Sequence, residues 1–443
     1  MARGRQEEIG IALLGLGNVG LGTFRILEAH AKDIERRLGA RVRVLHALVK
    51  DAQKSRPKGL DVTTDPEVIF GDPAVQIVVE LIGGTTVARE LCLRAINTGR
   101  HVVTANKALL ATHGEELFGR AQAAGVDLLF EGAVCGGIPI IRTLREALAS
   151  DRIEAVIGIV NGTTNLILSA MAEEGSTYGA ALARAQAAGF AEADPTLDVS
   201  GMDAAQKLCL LAQLAFTARL FPAQISVEGI LGLEPADFSL AHEFGYVVKL
   251  LAIARRPPGG PLDARVHPAF VPRQSPLAEV RGGFNAVLLQ SAALGPSLFY
   301  GQGAGAMPTG SAVVSDVIDA CRDLLAGVAG RLPMLCAPNL ADVALSPPGA
   351  RQGRVYLRFT VSDAPGVLGR IAGVLGDKGV SIASVLQRQP KAGEPGATVV
   401  VFTHVAKETD VRAAVAEVDA FASTRAPTRF IRIEDEPPIG PAR

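Results

Sequence analysis

The sequence predicts an α/β protein in three parts: a doubly wound parallel sheet, a second α/β domain, and a C-terminal module of ferredoxin-like order. Three observations carry this. Over the first third of the chain, short apolar β-rich runs alternate with helical stretches. The glycine-rich GLGNVG, Gly15 to Gly20, lies between the apolar run IGIALL and the helical stretch VGLGTFRILEAH. A proline-containing linker, SPPGARQG, precedes a terminal β-α-β-β-α-β pattern.

In chain order, the strands of the first part are IGIALLG, VRVLHALV, VQIVVELIG, HVVTAN and VDLLFEGAV, with helices between them. This part spans residues 1–141; Pro308 to Cys321 reads as a helix, and its return to complete the first part, by about 302–345, is what the family resemblance given below implies. Residues 142–301 are expected to form the second α/β domain, whose role in substrate binding and dimerisation is what the acidic stretch and the family resemblance given below imply. Its strands are EAVIGIV, VVKLLAIA, ARVHPAFV and NAVLLQSAA, and its helices lie around Asn165, Tyr178 and Asp203. Residues 346–353 are the linker, and 354–433 hold RVYLRFTV, a helix from Gly366, VSIASVLQR, ATVVVFTHV, a helix near Thr409 and TRFIRIED. The tail at 434–443 is expected to be disordered.

A chain of 443 residues with 48% apolar and 20% charged content can bury more than one core. The formal charge of -1 leaves no basic footprint for nucleic acid or an anionic membrane. Cys92, Cys135, Cys209, Cys321 and Cys336 are widely spaced, with no CxxC or zinc-like cluster, which fits reduced buried thiols and a cytoplasmic compartment. No signal-peptide core follows MARGRQEEIG, and no apolar run reaches membrane-spanning length.

GLGNVG follows a strand and opens a helix, which is the context a dinucleotide fingerprint requires. Gly15 permits the tight turn, Gly17 lets a pyrophosphate approach the backbone, and Gly20 lets helix and sheet close. Asn18 and Val19 complete the loop, and the helix N-terminus faces the phosphates. After the second strand, Lys50, Lys54, Arg56 and Lys58 cluster beside Asp51. Cations suit the 2′-phosphate of NADP, while Asp51 leaves NAD possible. Lys107 follows HVVTAN, at the carboxyl edge of the sheet where such folds bind ligands.

The densest polar stretch is GFAEADPTLDVSGMDAAQKL, Gly189 to Leu208. Asp203 and Lys207 are four residues apart, so they share one face of a helix that continues into LCLLAQLAF. On a solvated helix such a pair contributes only about 0.3 to 0.5 kcal/mol. Here most of the helix circumference must be buried, so the pair belongs to a buried mouth. With Glu192 arriving from the preceding loop, two carboxylates beside one ammonium can hold a cationic amine while the lysine handles a proton on a neighbouring oxygen. An amino alcohol suits such a pocket.

That acidic loop and lysine-bearing helix resemble the signature of the homoserine dehydrogenase family. The resemblance extends through GLGNVG, TANK at Thr104, EGAVCGGIPII at Glu131 and GIVNGTTNLIL at Gly158. It implies interconversion of L-homoserine and L-aspartate 4-semialdehyde by hydride exchange with NAD(P), in the biosynthesis of threonine, methionine and isoleucine. Glu192 and Asp203 would bind the substrate amine, Lys207 would be the acid/base, and Lys107 a second active-site lysine near cofactor and substrate. Thr104, Gly189 and Gly303 would lie by the cofactor. The carbonyls of Glu131, Val134, Gly136 and Ile138 would coordinate a sodium ion.

SDAPGVLGRIAGVL resembles the start of an ACT domain, which implies an amino-acid effector, threonine being the natural candidate, bound between paired copies at Asp363, Pro365 and Gly366. A homodimer or homotetramer follows from pairing of the second domain and of this module. With no kinase-like region before the fingerprint, the monofunctional form is expected. Two alternatives stay open at this stage: a non-enzymatic NADP-dependent amino-acid sensor, and an aspartate-semialdehyde dehydrogenase, which needs an acylated cysteine. Cys135 lacks a basic partner nearby in sequence, so it reads as a buried thiol.

Overall fold

In a computed structural model, which describes residues 8–336, 339–347, 349–389 and 396–435, the run IGIALL becomes β1 (Glu8–Leu14), buried from Ile9 onward. Continuous apolar character suits a central parallel strand covered on both faces. β1 leads into α1 (Asn18–Ala29) and α2 (Ala31–Leu38), then β2 (Arg41–Leu48), β3 (Val62–Thr63), α3 (Pro66–Gly71), β4 (Val75–Glu80), α4 (Thr86–Asn97), β5 (His101–Thr104), α5 (Lys107–Ala124) and the short β6 (Leu128–Leu129). The sheet order is β3-β2-β1-β4-β5-β6, with β1 parallel to both β2 and β4. Strand order reverses beside β1, so the crevice for a ligand opens at its carboxyl end, where GLGNVG sits.

α6 (Ile140–Arg142) leads to the second sheet. Its strands are β7 (Ile153–Ile159), β9 (Tyr246–Arg255), β10 (Asp263–Pro272), β11 (Phe284–Ser291) and β12 (Gly295–Gln302), with β8 (Ser226–Val227) at the side of β10. One side is covered by α7 (Gly162–Glu174), α8 (Tyr178–Ala187), the short α9 (Thr196–Val199), α10 (Met202–Phe216) and α11 (Pro235–Glu243). β12 falls outside the strands predicted, because every second residue of it is exposed and no apolar run marks it. α12 (Ala306–Ala326) then packs on α1: a Cβ on Gly22 would stand 2.0 Å from the Ala306 carbonyl oxygen. Only glycine allows that crossing.

The C-terminal module runs β13 (Gln352–Val361), α13 (Val367–Asp377), β14 (Ile382–Arg388), β15 (Ala397–Thr403), β16 (Ala406–Lys407), α14 (Glu408–Asp419) and β17 (Thr424–Ile433). Its sheet is continuous with the second one. β17 lies parallel to β10, pairing Ala269 with Arg432 and Phe270 with Ile433, so the order runs β12-β11-β7-β9-β10-β17-β13-β15-β14.

That junction corrects the expectation of a disordered tail beginning at residue 434. Glu434 is buried, taking Arg265 and Arg351 and lying 3.3 Å from Arg255. Ion pairing to buried arginines orders it; residues 436–443 lie outside the described residues, as do 1–7. No helix among the described residues is long and apolar enough to cross a membrane.

Candidate active site

α10 starts at Met202 after Gly201, which holds a left-handed φ of 86°, and nearly all its faces are buried. Its first turn therefore carries Asp203 and Lys207 into the interior, 3% and 8% exposed. Lys207 Nζ donates to Asp203 Oδ2 at 2.7 Å and to the Val160 carbonyl at 2.7 Å. The other Asp203 oxygen lies 3.0 Å from Lys107 Nζ. Lys107 is the first residue of α5, which packs against α10, and its side chain is partly exposed. One carboxylate thus joins two lysines from two domains.

Asn161 caps α7, accepting from the Thr164 amide, and its own amide donates to Asp198 Oδ1 at 2.7 Å and Asp203 Oδ2 at 2.8 Å. Burial pushes the Asp198 carboxyl up, with Asn161 opposing it and the Asp203 charge adding to it. Burial acts on Asp203 in the same sense. There the charges of Lys207 and Lys107, with the bonds from Lys207 and Asn161, outweigh it and hold the carboxyl well below its usual range. Burial disfavours the Lys207 ammonium, but Asp203 more than restores it, so its pKa is raised.

The two carboxylates beside Lys207 are therefore Asp203 and Asp198, and this corrects the expected pairing of Asp203 with Glu192. Glu192 is exposed on the loop, and no hydrogen bond or ion pair joins it to Asp203 or Lys207. Its backbone carbonyl accepts from the Gln186 side-chain amide at 3.1 Å. A loop entered through Gly189, at φ 75°, points its side chains toward solvent unless something draws them inward. Asp198 lay in the same acidic stretch, and Asn161 in the GIVNGTT motif at a strand end. What was not legible is that α9 turns Asp198 inward onto the α7 cap.

At the nucleotide end, Gly15 has φ 107° and a Cβ there would stand 2.7 Å from the Leu81 carbonyl oxygen. A Cβ on Gly20 would meet the Gly15 carbonyl at 2.2 Å. Gly17 has open space around it and caps α1 without a side-chain bond, so the first amides of the helix are free to receive an anion. Asn18 is exposed and Val19 half-buried beside it, and Lys50 is exposed at the end of β2. Arg56 was assigned no contact from sequence, yet it donates to the Leu16 carbonyl within the fingerprint loop at 3.1 Å. Thr104 is buried at the end of β5, donating to Glu80 at 2.6 Å.

Behind Lys207, Cys135 sits at a left-handed φ of 55°, followed by Gly136 at 52°. Gly136 packs on Gly303, where a Cβ would stand 2.7 Å from the Gly303 carbonyl oxygen. In this turn the Glu131 and Ile138 carbonyls accept from Val134 and Ile140, whereas those of Val134 and Gly136 accept no hydrogen bond among the described residues. No cluster of three or more His, Cys, Asp or Glu side chains able to hold a metal is found among the described residues. Burial pushes the Cys135 thiol up to about 11, despite the Lys207 charge, so it is no ready nucleophile.

Three family models match the chain: "Homoserine dehydrogenase, NAD binding domain" over residues 15–131, "Homoserine dehydrogenase" over 139–318 and "ACT domain" over 355–422. A homoserine dehydrogenase of Pseudomonas aeruginosa is 42% identical over 434 residues, 97% of this chain and 99% of that one. One from Bacillus subtilis is 40% identical over 407 residues, 91% and 93% of the two chains. Among solved structures, the homoserine dehydrogenase from Thiobacillus denitrificans superposes with a TM-score of 0.91 at 43% identity, covering 97% of this chain and 99% of that one. A hyperthermophilic archaeal homoserine dehydrogenase in complex with NADPH has a TM-score of 0.61 at 26% identity, covering 71% and 97%.

Proposed function

Since this chain belongs to the homoserine dehydrogenase family, we propose that its Asp203–Lys207–Lys107 cluster is where L-homoserine and L-aspartate 4-semialdehyde are interconverted. The enzyme is an NAD(P)-dependent oxidoreductase. The bridging of two lysines by one buried carboxylate at the edge of the dinucleotide crevice carries the assignment of the site.

When bound, the dinucleotide supplies the hydride acceptor or donor. Gly15, Gly17 and Gly20, with Asn18 and Val19, would hold its pyrophosphate against the α1 amides, and Thr104, Gly189 and Gly303 are our candidates for residues by its nicotinamide. Lys207, held charged by Asp203, gives a proton to the aldehyde oxygen during reduction and recovers it from the hydroxyl during oxidation. Lys107 steadies the same oxygen or the substrate carboxylate. Asp203 and Asp198 select a substrate bearing an amine, with Glu192, on the loop that precedes them in the chain, a further candidate.

For the dinucleotide we favour NADP: Lys50 stands at the end of β2, Arg56 reaches the fingerprint loop, and the archaeal relative was solved with NADPH. A sodium ion fits the turn of Glu131, Val134, Gly136 and Ile138, because two of its carbonyls are unclaimed and backbone oxygens suit a hard cation. In the C-terminal module, the turn of Asp363, Pro365 and Gly366 borders a cavity of about 420 Å³ and is our candidate for binding threonine across a homodimer or homotetramer. Five unpaired buried cysteines support a reducing, cytoplasmic setting.

The test is NADP reduction with L-homoserine, set beside L-aspartate 4-semialdehyde plus phosphate. Turnover with the first and none with the second is expected; the reverse, or no turnover with either, overturns the reading.

A further inference from the structure

Lys249 lies in the middle of β9, 2% exposed, and takes no part in the chemistry above. Its ammonium donates to Asn165 Oδ1 at 3.2 Å and to the Val280 carbonyl. Asn165, 1% exposed on α7, directs its amide at the carbonyls of Val280, Gly282 and Phe284 at 3.1, 2.9 and 3.2 Å. Ser169, one turn on, accepts from the Gly282 amide. A buried lysine is costly to hold, and burial lowers this one to about 8. What it holds is a single turn, residues 280–284.

Two parts of the candidate site lean on that turn. A Cβ on Gly162, the residue after Asn161, would stand 2.7 Å from the Gly283 carbonyl oxygen, so the cap that grips Asp198 and Asp203 is seated on it. A Cβ on Gly283 would meet the Phe190 ring at 2.3 Å, and the Phe190 carbonyl accepts from Thr163 of α7 at 2.9 Å. Phe190 is two residues before Glu192 and anchors the acidic loop to the turn and to α7.

Resting on the proposed function, we propose that Lys249 and Asn165 are positioning residues for the amine end of the substrate: they clamp the 280–284 turn, which seats the Asn161 cap and, through Phe190, the loop bearing Glu192. Neither residue touches the substrate. The clamp contains no residue of the fingerprint Gly15–Gly20 and seats the carboxylate cap directly, so its effect falls more heavily on homoserine than on the cofactor.

The experiment measures kcat, KM for homoserine, NADPH affinity by its fluorescence, and Tm, for Lys249→Met and Gly283→Ala. The first removes the ammonium. The second leaves the buried clamp intact and displaces only the half-exposed Phe190 ring, so it reports even if the first variant folds poorly. A rise of about tenfold or more in KM for homoserine is expected in both, with NADPH affinity within about twofold. Phe190→Leu in the Gly283→Ala background, which relieves the crowding, should recover part of the loss. Homoserine KM unchanged in both variants, or homoserine and NADPH binding weakened in parallel, overturns the clamp. Absence of homoserine turnover in the unmodified enzyme overturns the functional reading instead.

Discussion

At the scale of residues, the site is an exercise in opposed terms. Burial alone would neutralise Asp203 and Lys207, and their mutual contact reverses both shifts. Lys207→Ala should lower kcat by about 10²- to 10⁴-fold with NADPH affinity unchanged; near-normal turnover would remove Lys207 from the chemistry. Asp203→Asn takes away the largest charge that raises Lys207, leaving Asp198 and Cys135 to oppose burial less strongly, so the lysine loses its proton at lower pH. The acid limb of the pH profile for homoserine oxidation, which needs Lys207 unprotonated, should move down by about one unit. For the buried cysteines, burial outweighs whatever opposes it. Burial pushes Cys135 to about 11 and Cys209 and Cys321 to about 12, so iodoacetamide at pH 8 should label the folded protein far more slowly than the denatured one, as read by mass spectrometry. Asp203 and Lys207 were legible because their spacing puts them on one face of an apolar helix. Asp198 and Asn161 were not, since nothing local requires α9 and the α7 cap to meet.

At the scale of elements, close approach decides more than propensity. α1 crosses α12 at Gly22 and Gly310, where a Cβ would stand 2.0 Å from the Ala306 carbonyl oxygen and 2.8 Å from the Thr23 amide. Gly22→Ala should therefore cost about 1 to 3 kcal/mol in a urea titration and weaken NADPH, because α1 can only relieve the overlap by shifting the fingerprint loop. An unaltered Kd would show that the loop moves independently of the helix. The strands of the first sheet were readable as long apolar runs, whereas β12 was not, its alternate residues being exposed on an edge. The 280–284 turn carries no sequence signal beyond its glycines, because its importance comes from what packs upon it.

At the scale of the whole molecule, β17 joins the C-terminal module to the second domain through a charged seam. Arg265 reaches Glu434 and His267, Arg351 also binds Glu434, and Arg432 spans Glu408 and Glu228. Burial would raise the Glu434 carboxyl, but His267, Arg265 and Arg351 outweigh it and hold it well below the usual range. Its folded pKa is depressed, so its contribution is complete above the ordinary carboxylate pKa and is lost as the pH falls through the folded value. Glu434→Gln should destabilise by about 3 to 5 kcal/mol at neutral pH, leaving buried arginines without a counter-charge. The difference from the unmodified protein should shrink in strong acid, as followed by urea titration; a constant difference would discount the seam. By itself the sequence determined the three-part α/β plan, the fingerprint turn and the lysine-bearing helix, because periodicity, glycine placement and four-residue spacing are local properties of the chain. Only the tertiary structure decided that Lys107 shares Asp203 with Lys207, that Asp198 rather than Glu192 stands beside them, and that one sheet runs from the second domain into the C-terminal module. Each of those depends on which distant surfaces meet, and hydrophobic burial, being non-directional, leaves no mark of that choice in any short stretch of residues.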